Sequence, residues 1–229
     1  MSQESLPFLL IPVFFLSDES YIENEDLGQL ANIFTNLKKN TLPLAALGIP
    51  EKVVNSNIKW RSPSSDFCKK IAEFSKKFST KNPYKFLKIL CEGDGSKRLP
   101  IKLPKDGEPV FFPKTDTVIG VIGLSCLGKP IKETLFRYEL LPNLTSLDNY
   151  FIKSLQSADI VTTDFLYRLC LSEKGLRKNI TSQKFCIIFN QADILDEKAL
   201  AEVITLRNQL QTKGICSHII SVKNNYIIN

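Results

Sequence analysis

The stretch KFCIIFNQAD, residues 184–193, decides the fold, because a continuous apolar run ends there in a polar cluster. Such a run is typical of a buried strand in a parallel sheet. Residues 196–214, DEKALAEVITLRNQLQTKG, follow with the spacing of an amphipathic helix closed by a glycine. Residues 215–223, ICSHIISVK, form a second apolar run. Strand, helix and strand in this order predict a βαβ crossover in a parallel sheet.

The rest of the chain repeats this alternation in weaker form. Apolar runs predict strands at residues 7–15, 85–92 and 115–124. Helical spacing predicts helices at residues 27–39, 65–78, 131–138, 148–157 and 163–172. A short strand and a turn are expected at residues 41–50. We therefore predict one α/β domain over residues 1–229, with a mostly parallel sheet flanked by helices.

Composition narrows the class of protein. The chain has 229 residues, 43% of them hydrophobic, and a net charge of +6, as in an ordinary globular protein. Lys69, Lys70, Lys76 and Lys77 share the polar side of one predicted helix. We interpret them as a solvated face rather than a nucleic-acid footprint, which leaves nucleic-acid binding as the weakest option. The apolar run at 6–16 is too short to span a bilayer, so we expect a cytoplasmic protein without membrane contact.

The six cysteines favour a reducing compartment rather than a metal site. No two have C-x-x-C spacing, and the single histidine, His218, lies in an apolar run. Buried reduced thiols and a packed core imidazole are the interpretations that we prefer. Cys91 is interpreted as a strand residue rather than an activated thiolate. We expect neither zinc nor haem.

A first candidate site is CEGDGSK, residues 91–97, at the end of a predicted strand. Glu92 and Asp94 are candidate Mg²⁺ ligands, because paired carboxylates at a strand end suit that ion. Gly93 and Gly95 would let the backbone approach a ligand closely. The candidate cationic contacts for phosphate are Lys97, Arg98 and Lys102. The alternative is a turn in which Asp and Gly only serve backbone geometry.

A second candidate site combines NQAD, residues 190–193, with SVK, residues 221–223. NQAD resembles the N-K-x-D signature of GTP-binding proteins of the P-loop class, with Gln191 in place of the lysine. The resemblance implies that Asn190 and Asp193 contact a purine base, with Ser221 and Lys223 beside it. A phosphate-binding G-x-x-x-x-G-K-[ST] motif is absent, since Gly128-Lys129 is followed by Pro130.

The central part of the chain resembles the YqeC family, over roughly residues 86–195. That family shows Glu-Ala-Asp-Gly-Ser, Leu-Pro-x-Lys-x-Pro, Glu-Pro-Val-Ile-Pro, Thr-Asp-x-Val-Ile-Gly, Leu-Gly-Lys-Pro and His-Arg-Pro-Glu in this order. The residues that match are Glu92, Asp94, Gly95, Ser96, Leu99, Pro100, Lys102, Pro104, Glu108, Pro109, Val110, Pro113, Asp116, Val118, Ile119, Gly120, Gly128, Lys129, Pro130, Arg137 and Glu139. The family opens with a Gly-Ala-Gly-Gly-Lys-Thr phosphate loop, where this chain has FLLIPVFFLSDES.

The resemblance implies a P-loop NTPase-like fold whose phosphate loop is degenerate or missing. It implies a role in selenium cofactor biosynthesis or molybdenum hydroxylase maturation, with a molybdenum hydroxylase or its maturation proteins as partners. Gly95, Ser96, Lys129 and Arg137 join Lys97 and Lys102 as candidate phosphate or anion contacts. Glu108 and Glu139 are further candidate loop residues.

We therefore predict an accessory protein that binds Mg²⁺ and a purine nucleotide, with little or no hydrolysis. No catalytic residue is predicted. The alternative is a non-enzymatic scaffold for a partner or a molybdopterin cofactor that has lost nucleotide binding.

Overall fold

A computed structural model describes residues 27–28, 49–54, 57–61, 64–81, 89–112, 114–143 and 159–228. The predicted strand at 7–15, the helix at 148–157 and most of the helix at 27–39 lie outside the described residues. Contacts divide the chain into two compact units: residues 1–90 with 112–114, and residues 91–111 with 115–229. The prediction of one domain over the whole chain stays a prediction.

The first unit contains a hairpin and a helix. Strands β1 (Ile49–Val54) and β2 (Asn57–Arg61) pair in antiparallel register, with Val54 opposite Asn57. The helix α1 (Ser65–Lys81) confirms the helix predicted at 65–78 and continues past it. Ser64 caps it, because its Oγ accepts a hydrogen bond of 3.2 Å from the Phe67 N–H. The predicted lysine face of α1 is exposed.

The second unit is built on an α/β sheet. Its described strands are β3 (Ile101–Lys102), β4 (Thr117–Gly123), β5 (Leu135–Phe136), β6 (Lys184–Asn190), β7 (Cys216–Ser221) and β8 (Tyr226–Ile228). The main sheet has the order β4-β6-β7-β8, in which the first three strands are parallel and β8 is antiparallel. β3 and β5 form a separate parallel pair. The predicted α/β class with a mostly parallel sheet is thus confirmed.

The described helices of the second unit are α2 (Ile131–Thr134), α3 (Thr163–Leu171) and α4 (Glu197–Thr212). α4 packs against β7 and α3 packs against α4, whereas α2 lies beside β5. Ile187 and Phe189 of β6 are fully buried together with Leu206 and Leu210 of α4. Burying one such side chain stabilises the fold by about 1.5–3 kcal/mol. The crossover β6-α4-β7 is the predicted βαβ unit, and Gly214 closes α4 with a φ of 76°.

Two predicted elements are wrong in their bounds. Residues 89–92 of the strand predicted at 85–92 are irregular, and the side chains of Ile89 and Leu90 are 37% and 80% exposed. That apolar run has no strand partner in the described part of the chain. The helix predicted at 131–138 stops at Thr134, because Leu135 and Phe136 pair with β3 instead.

The helix predicted at 163–172 is confirmed as α3. Its N-cap is Thr162, whose Oγ1 accepts a 3.1 Å hydrogen bond from the Phe165 N–H, one residue before the predicted start. Within the described ranges, no helix combines the length and apolar composition that a membrane crossing needs.

Candidate functional site

Polar side chains from β6 and β7 meet at the carboxyl edge of the main sheet. We call Asn190, Asp193 and Ser221 the carboxyl-edge cluster. Ser221 Oγ donates a 2.6 Å hydrogen bond to Asp193 Oδ1. Asn190 Oδ1 accepts from the Gln191 N–H at 2.7 Å and from the Val222 N–H at 3.3 Å. The two motifs predicted to form one site therefore lie together, as expected where parallel strands end side by side.

Asp193 is held in place but keeps acceptor capacity. It is half-buried in the short 3₁₀ helix Ala192–Ile194, directly after β6. Its Oδ2 receives no hydrogen bond from any described residue, whereas Ser221 fixes its Oδ1. Ile194, the next residue along the chain, and Val222, which follows Ser221, are 55% and 57% exposed. Lys223, also predicted here, is exposed in the turn between β7 and β8.

Gln191 replaces the lysine of N-K-x-D, and its side chain reaches the residues that follow β4. Its backbone is left-handed, with a φ of 71°, and its Oε1 accepts a 3.3 Å hydrogen bond from the Ser125 N–H. A Cβ on Gly123 would lie 2.7 Å from this Oε1 and 2.9 Å from Pro100 Cβ. Only glycine fits at this crossing of three segments. The side chain of residue 191 therefore links β6 to the end of β4.

Asp94 and Lys102 of the first predicted site pair with each other, and Lys102 also pairs with Glu108. We call Asp94, Lys102, Glu108 and Arg137 the loop network. The Lys102 ammonium lies 3.1 Å from Asp94 Oδ2 and 2.8 Å from Glu108 Oε2. Arg137 binds Glu108 through both guanidinium nitrogens, with NH2 3.0 Å from Oε1. The Lys102 side chain is only 8% exposed, so its charge is neutralised inside the protein.

Phe136 supports the same network from the β5 strand. Its ring centroid lies 5.0 Å from Lys97 Nζ, 5.9 Å from Lys102 Nζ and 4.8 Å from Arg137 Cζ, distances at which cations are attracted to an aromatic face. Hydrogen bonds from Arg137 and Lys102 lower the pKa of Glu108 to about 2. Glu108 is therefore ionised across the physiological range.

The residues at 92–98 show turn geometry. Lys97 and Arg98 have left-handed φ angles of 51° and 66°, and the Leu99 N–H donates to the Ser96 carbonyl at 3.0 Å. Gly93 makes a close approach to the protein itself, since its Cβ would lie 3.2 Å from the Val110 carbonyl oxygen. Glu92 is exposed, and Gly95 lies beside it, with a notional Cβ 3.3 Å from Glu92 Oε1. The assignment of Glu92 and Asp94 to Mg²⁺ stays a prediction.

The loop after β4 holds Gly128 and Lys129 without forming a phosphate cradle. The N–H groups of Leu127, Gly128 and Lys129 donate to the carbonyls of Leu124, Val161 and Cys126 at 3.0–3.1 Å. The Ser125 N–H donates to Gln191. Donors already used inside the fold are not available to phosphate oxygens. The side chains of Lys129 and Glu139 are exposed.

A cluster at the opposite, amino edge of the sheet was missed. Cys186 Sγ lies 3.1 Å from Cys216 Sγ, which lies 3.4 Å from His218 Nε2. The expectation of buried thiols holds for Cys126 and Cys170 but is wrong for Cys91 and Cys216, which are exposed. His218 is half-exposed rather than packed in the core, because its face of β7 is not covered as the other is. The 30-residue separation of the two cysteines explains why spacing rules did not find the cluster.

The fold and this geometry define an α/β protein with a polar carboxyl edge and an internally neutralised loop. Residues 27–139 match the model of the family described as YqeC protein. Over this segment, just under half of the chain, the protein is similar to the YqeC family. No curated protein and no solved structure matches the chain. The match begins earlier than the predicted residue 86 and ends before Asn190, so it contains the loop network but not the carboxyl-edge cluster.

Proposed function

We propose that this YqeC-like protein is an accessory protein that binds a guanine nucleotide weakly at the carboxyl-edge cluster and hydrolyses it little or not at all. The observation that carries the proposal is the Asp193 carboxylate, which Ser221 holds through Oδ1 while Oδ2 stays without a hydrogen bond from the described residues. A fixed carboxylate beside exposed apolar side chains suits one edge of a planar base.

Hydrogen-bond chemistry favours guanine over adenine. Guanine presents two neighbouring donors, its ring N–H and its exocyclic amine, which match the two acceptor oxygens of an ionised carboxylate. Adenine presents one donor beside an acceptor, and that acceptor would face an oxygen of Asp193. An unmatched polar contact of this kind costs about 1–3 kcal/mol. The exposed side chains of Ile194 and Val222 offer apolar contact to the base.

We expect weak phosphate binding because the least exposed cationic side chains are already paired with carboxylates. Lys102 and Arg137 are paired with Asp94 and Glu108, and the amides after β4 are used within the fold. Exposed Lys97 and Lys129 remain as phosphate contacts, with Mg²⁺ bound by the nucleotide and by Glu92. Without a preformed cradle, the transferred phosphoryl group lacks the electrostatic stabilisation that hydrolysis requires.

The biological role in the proposal rests on the family. A nucleotide-dependent step in selenium cofactor biosynthesis or molybdenum hydroxylase maturation, in the cytoplasm, agrees with six free cysteines. Its partners in that role are the hydroxylase or its other maturation proteins. The nucleotide would act as a ligand that stabilises one conformation, and its hydrolysis would not drive the step.

Thermal denaturation with GDP, GTP, ADP and ATP, each with and without Mg²⁺, tests the proposal. A ligand at ten times its Kd stabilises the folded state by about 1.4 kcal/mol, which corresponds to a Tm increase of about 3–6 °C in a chain of this size. We expect such an increase with millimolar guanine nucleotides, a smaller one with adenine nucleotides, and no measurable release of phosphate.

The matched variants are Asp193→Asn, which changes one acceptor into a donor, and Glu202→Gln, which makes the same change on the exposed face of α4. Asp193→Asn should abolish the guanine preference, whereas Glu202→Gln should leave it unchanged. A flat panel with the unmodified protein contradicts the proposal and favours the partner- or pterin-binding scaffold. Guanine stabilisation that survives Asp193→Asn contradicts the assignment of the site.

A further inference from the structure

We propose that Cys186, Cys216 and His218 form a binding site for one Zn²⁺ ion, with a fourth coordination position open to solvent or to a ligand. This amino-edge site is separate from the carboxyl-edge cluster and does not depend on the proposed function. It also replaces the expectation from cysteine spacing that the chain has no zinc.

The three ligand atoms already converge. Cys186 Sγ, Cys216 Sγ and His218 Nε2 all lie within 4.8 Å of one another. A tetrahedral zinc site with Zn–S bonds of about 2.3 Å places two sulfurs about 3.8 Å apart. The sulfurs are now 3.1 Å apart and Cys216 Sγ is 3.4 Å from the imidazole nitrogen. Side-chain rotations that move each sulfur by a few tenths of an ångström would therefore make room for the ion.

The sheet register explains the convergence. Cys186 of β6 is the register partner of Cys216 of β7, so their side chains leave the sheet next to each other. His218 lies two residues beyond Cys216 and hence on the same face of β7. Because the ligands come from strands rather than loops, the backbone holds all three in place before any metal arrives.

The composition of the cluster suits Zn²⁺. Two thiolates and one neutral imidazole give a site of zero net charge with zinc, and Cys and His are its preferred ligands. Zinc binding displaces the two thiol protons and replaces the close contact of the two sulfurs with two Zn–S bonds. Cys216 is exposed and the other two are half-exposed, which leaves an entry path and room for a fourth ligand.

The test uses the full chain, stripped with a chelator and kept reduced with a phosphine. Co²⁺ is titrated first, because tetrahedral thiolate coordination produces a near-ultraviolet charge-transfer band and intense visible bands. Zn²⁺ then competes for the site in the presence of a fluorescent chelator. We expect one ion per chain and displacement of Co²⁺ by Zn²⁺.

Single substitutions identify the ligands. Cys216→Ser and His218→Gln should each weaken Zn²⁺ binding more than about tenfold, since even residues that only orient a ligand contribute that much. Cys91→Ser, which removes another exposed cysteine of the same unit, should leave the affinity unchanged. His218→Cys should retain binding and strengthen the charge-transfer band. Circular dichroism of each variant verifies that it folds.

Three results would overturn the site. The first is Co²⁺ binding without a charge-transfer band. The second is an affinity that Cys216→Ser and His218→Gln leave unchanged in folded protein. The third is a Cys186–Cys216 disulfide in the oxidised protein together with no metal binding in the reduced one, which would identify the pair as a redox couple instead.

Discussion

The loop network is richer in charge than the carboxyl-edge cluster, so its sequence looks more like a ligand site. In the structure, however, it is the cluster that keeps an acceptor unused by the described residues. The loop around residues 91–108 is dense in charge and belongs to the family match, yet Lys102 and Arg137 neutralise Asp94 and Glu108. The carboxyl-edge cluster contains one carboxylate and lies outside the match, yet Asp193 keeps a free acceptor among the described residues. Charge density alone therefore does not identify a ligand site; the partners of each charge do.

The comparison also separates stability from binding. Paired charges with little exposure make a loop rigid and are costly to break. A cluster held by a few hydrogen bonds at a sheet edge contributes less to stability and remains available to a ligand. Substitutions in the two regions should therefore have different main effects.

Lys102→Met should have the largest effect on stability. It leaves Asp94 without its cation and Glu108 with Arg137 alone, and losing such charge-assisted hydrogen bonds costs about 1.5–3 kcal/mol. Urea denaturation followed by circular dichroism measures the loss. Lys105→Met, at an exposed position of the same loop, is the control and should change stability by less than about 0.5 kcal/mol. Similar midpoints for both variants would show that the network is not structural.

Lowering the pH should have the second-largest effect on stability, through Glu108 in the same loop network. The folded pKa of Glu108 is about 2, below its ordinary value of 4.5, so the carboxylate stabilises the fold above pH 4.5. This contribution is lost as the pH falls from 4.5 towards 2, and solvent screening of this partly exposed group keeps it well below the value of about 3 kcal/mol that the full shift corresponds to. Unfolding free energies measured between pH 6 and pH 2 should fall for the unmodified chain. Glu108→Gln should flatten this dependence; an unchanged slope would assign the acid sensitivity to other carboxyls.

Ser221→Ala should have a moderate effect in the carboxyl-edge cluster. The Ser221 hydroxyl is buried, donates to Asp193 and accepts from the Asn224 N–H at 3.1 Å. Its removal should cost about 1–2 kcal/mol and weaken guanine nucleotides severalfold, because Asp193 loses its fixed orientation. Thermal denaturation with and without GDP measures both. Ser182→Ala, at an exposed bend, is the control, and equal GDP responses in the two variants would remove Ser221 from the site.

Gln191→Lys should have the smallest effect and the opposite sign for binding. It removes the acceptor for the Ser125 N–H, a long contact of 3.3 Å worth about 0.5 kcal/mol. It also restores the lysine of the N-K-x-D pattern, which packs along the base. We expect slightly lower stability and a severalfold gain in GDP affinity by calorimetry. A loss of affinity would show that the link from Gln191 to Ser125 shapes the site.

The part of the fold that sequence could predict is the part with local determinants. The run at 184–190, the amphipathic helix and Gly214 each carry their own signal, and β6, α4 and β7 appear with nearly the expected bounds. The run at 85–92 looks equally strand-like, but a strand needs a partner, which the described residues 89–92 do not have within the described chain, and that information is not local. The parallel pairing of Leu135 with Ile101 ended the predicted helix for the same reason.

The candidate sites divide in the same way. Asn190, Asp193 and Ser221 were brought together by the resemblance of two short motifs to those of GTP-binding proteins, and parallel strand ends do lie side by side. The pairing of Lys102 with Asp94 and Glu108 depends on side-chain geometry across a folded loop. The approach of Cys186, Cys216 and His218 depends on the register of two strands 30 residues apart. Neither is visible as a spacing in the sequence.

The strand β6 has one consequence for measurement. Cys186 and Asn190 are four residues apart on the same face of this strand, so about 13 Å separates them along its axis. A paramagnetic Co²⁺ ion bound at Cys186 would then relax the nuclear spins of a nucleotide bound at Asn190 in a way that depends steeply on distance. This relaxation would therefore measure the distance between the metal ion and the nucleotide, because both sites lie on the same strand.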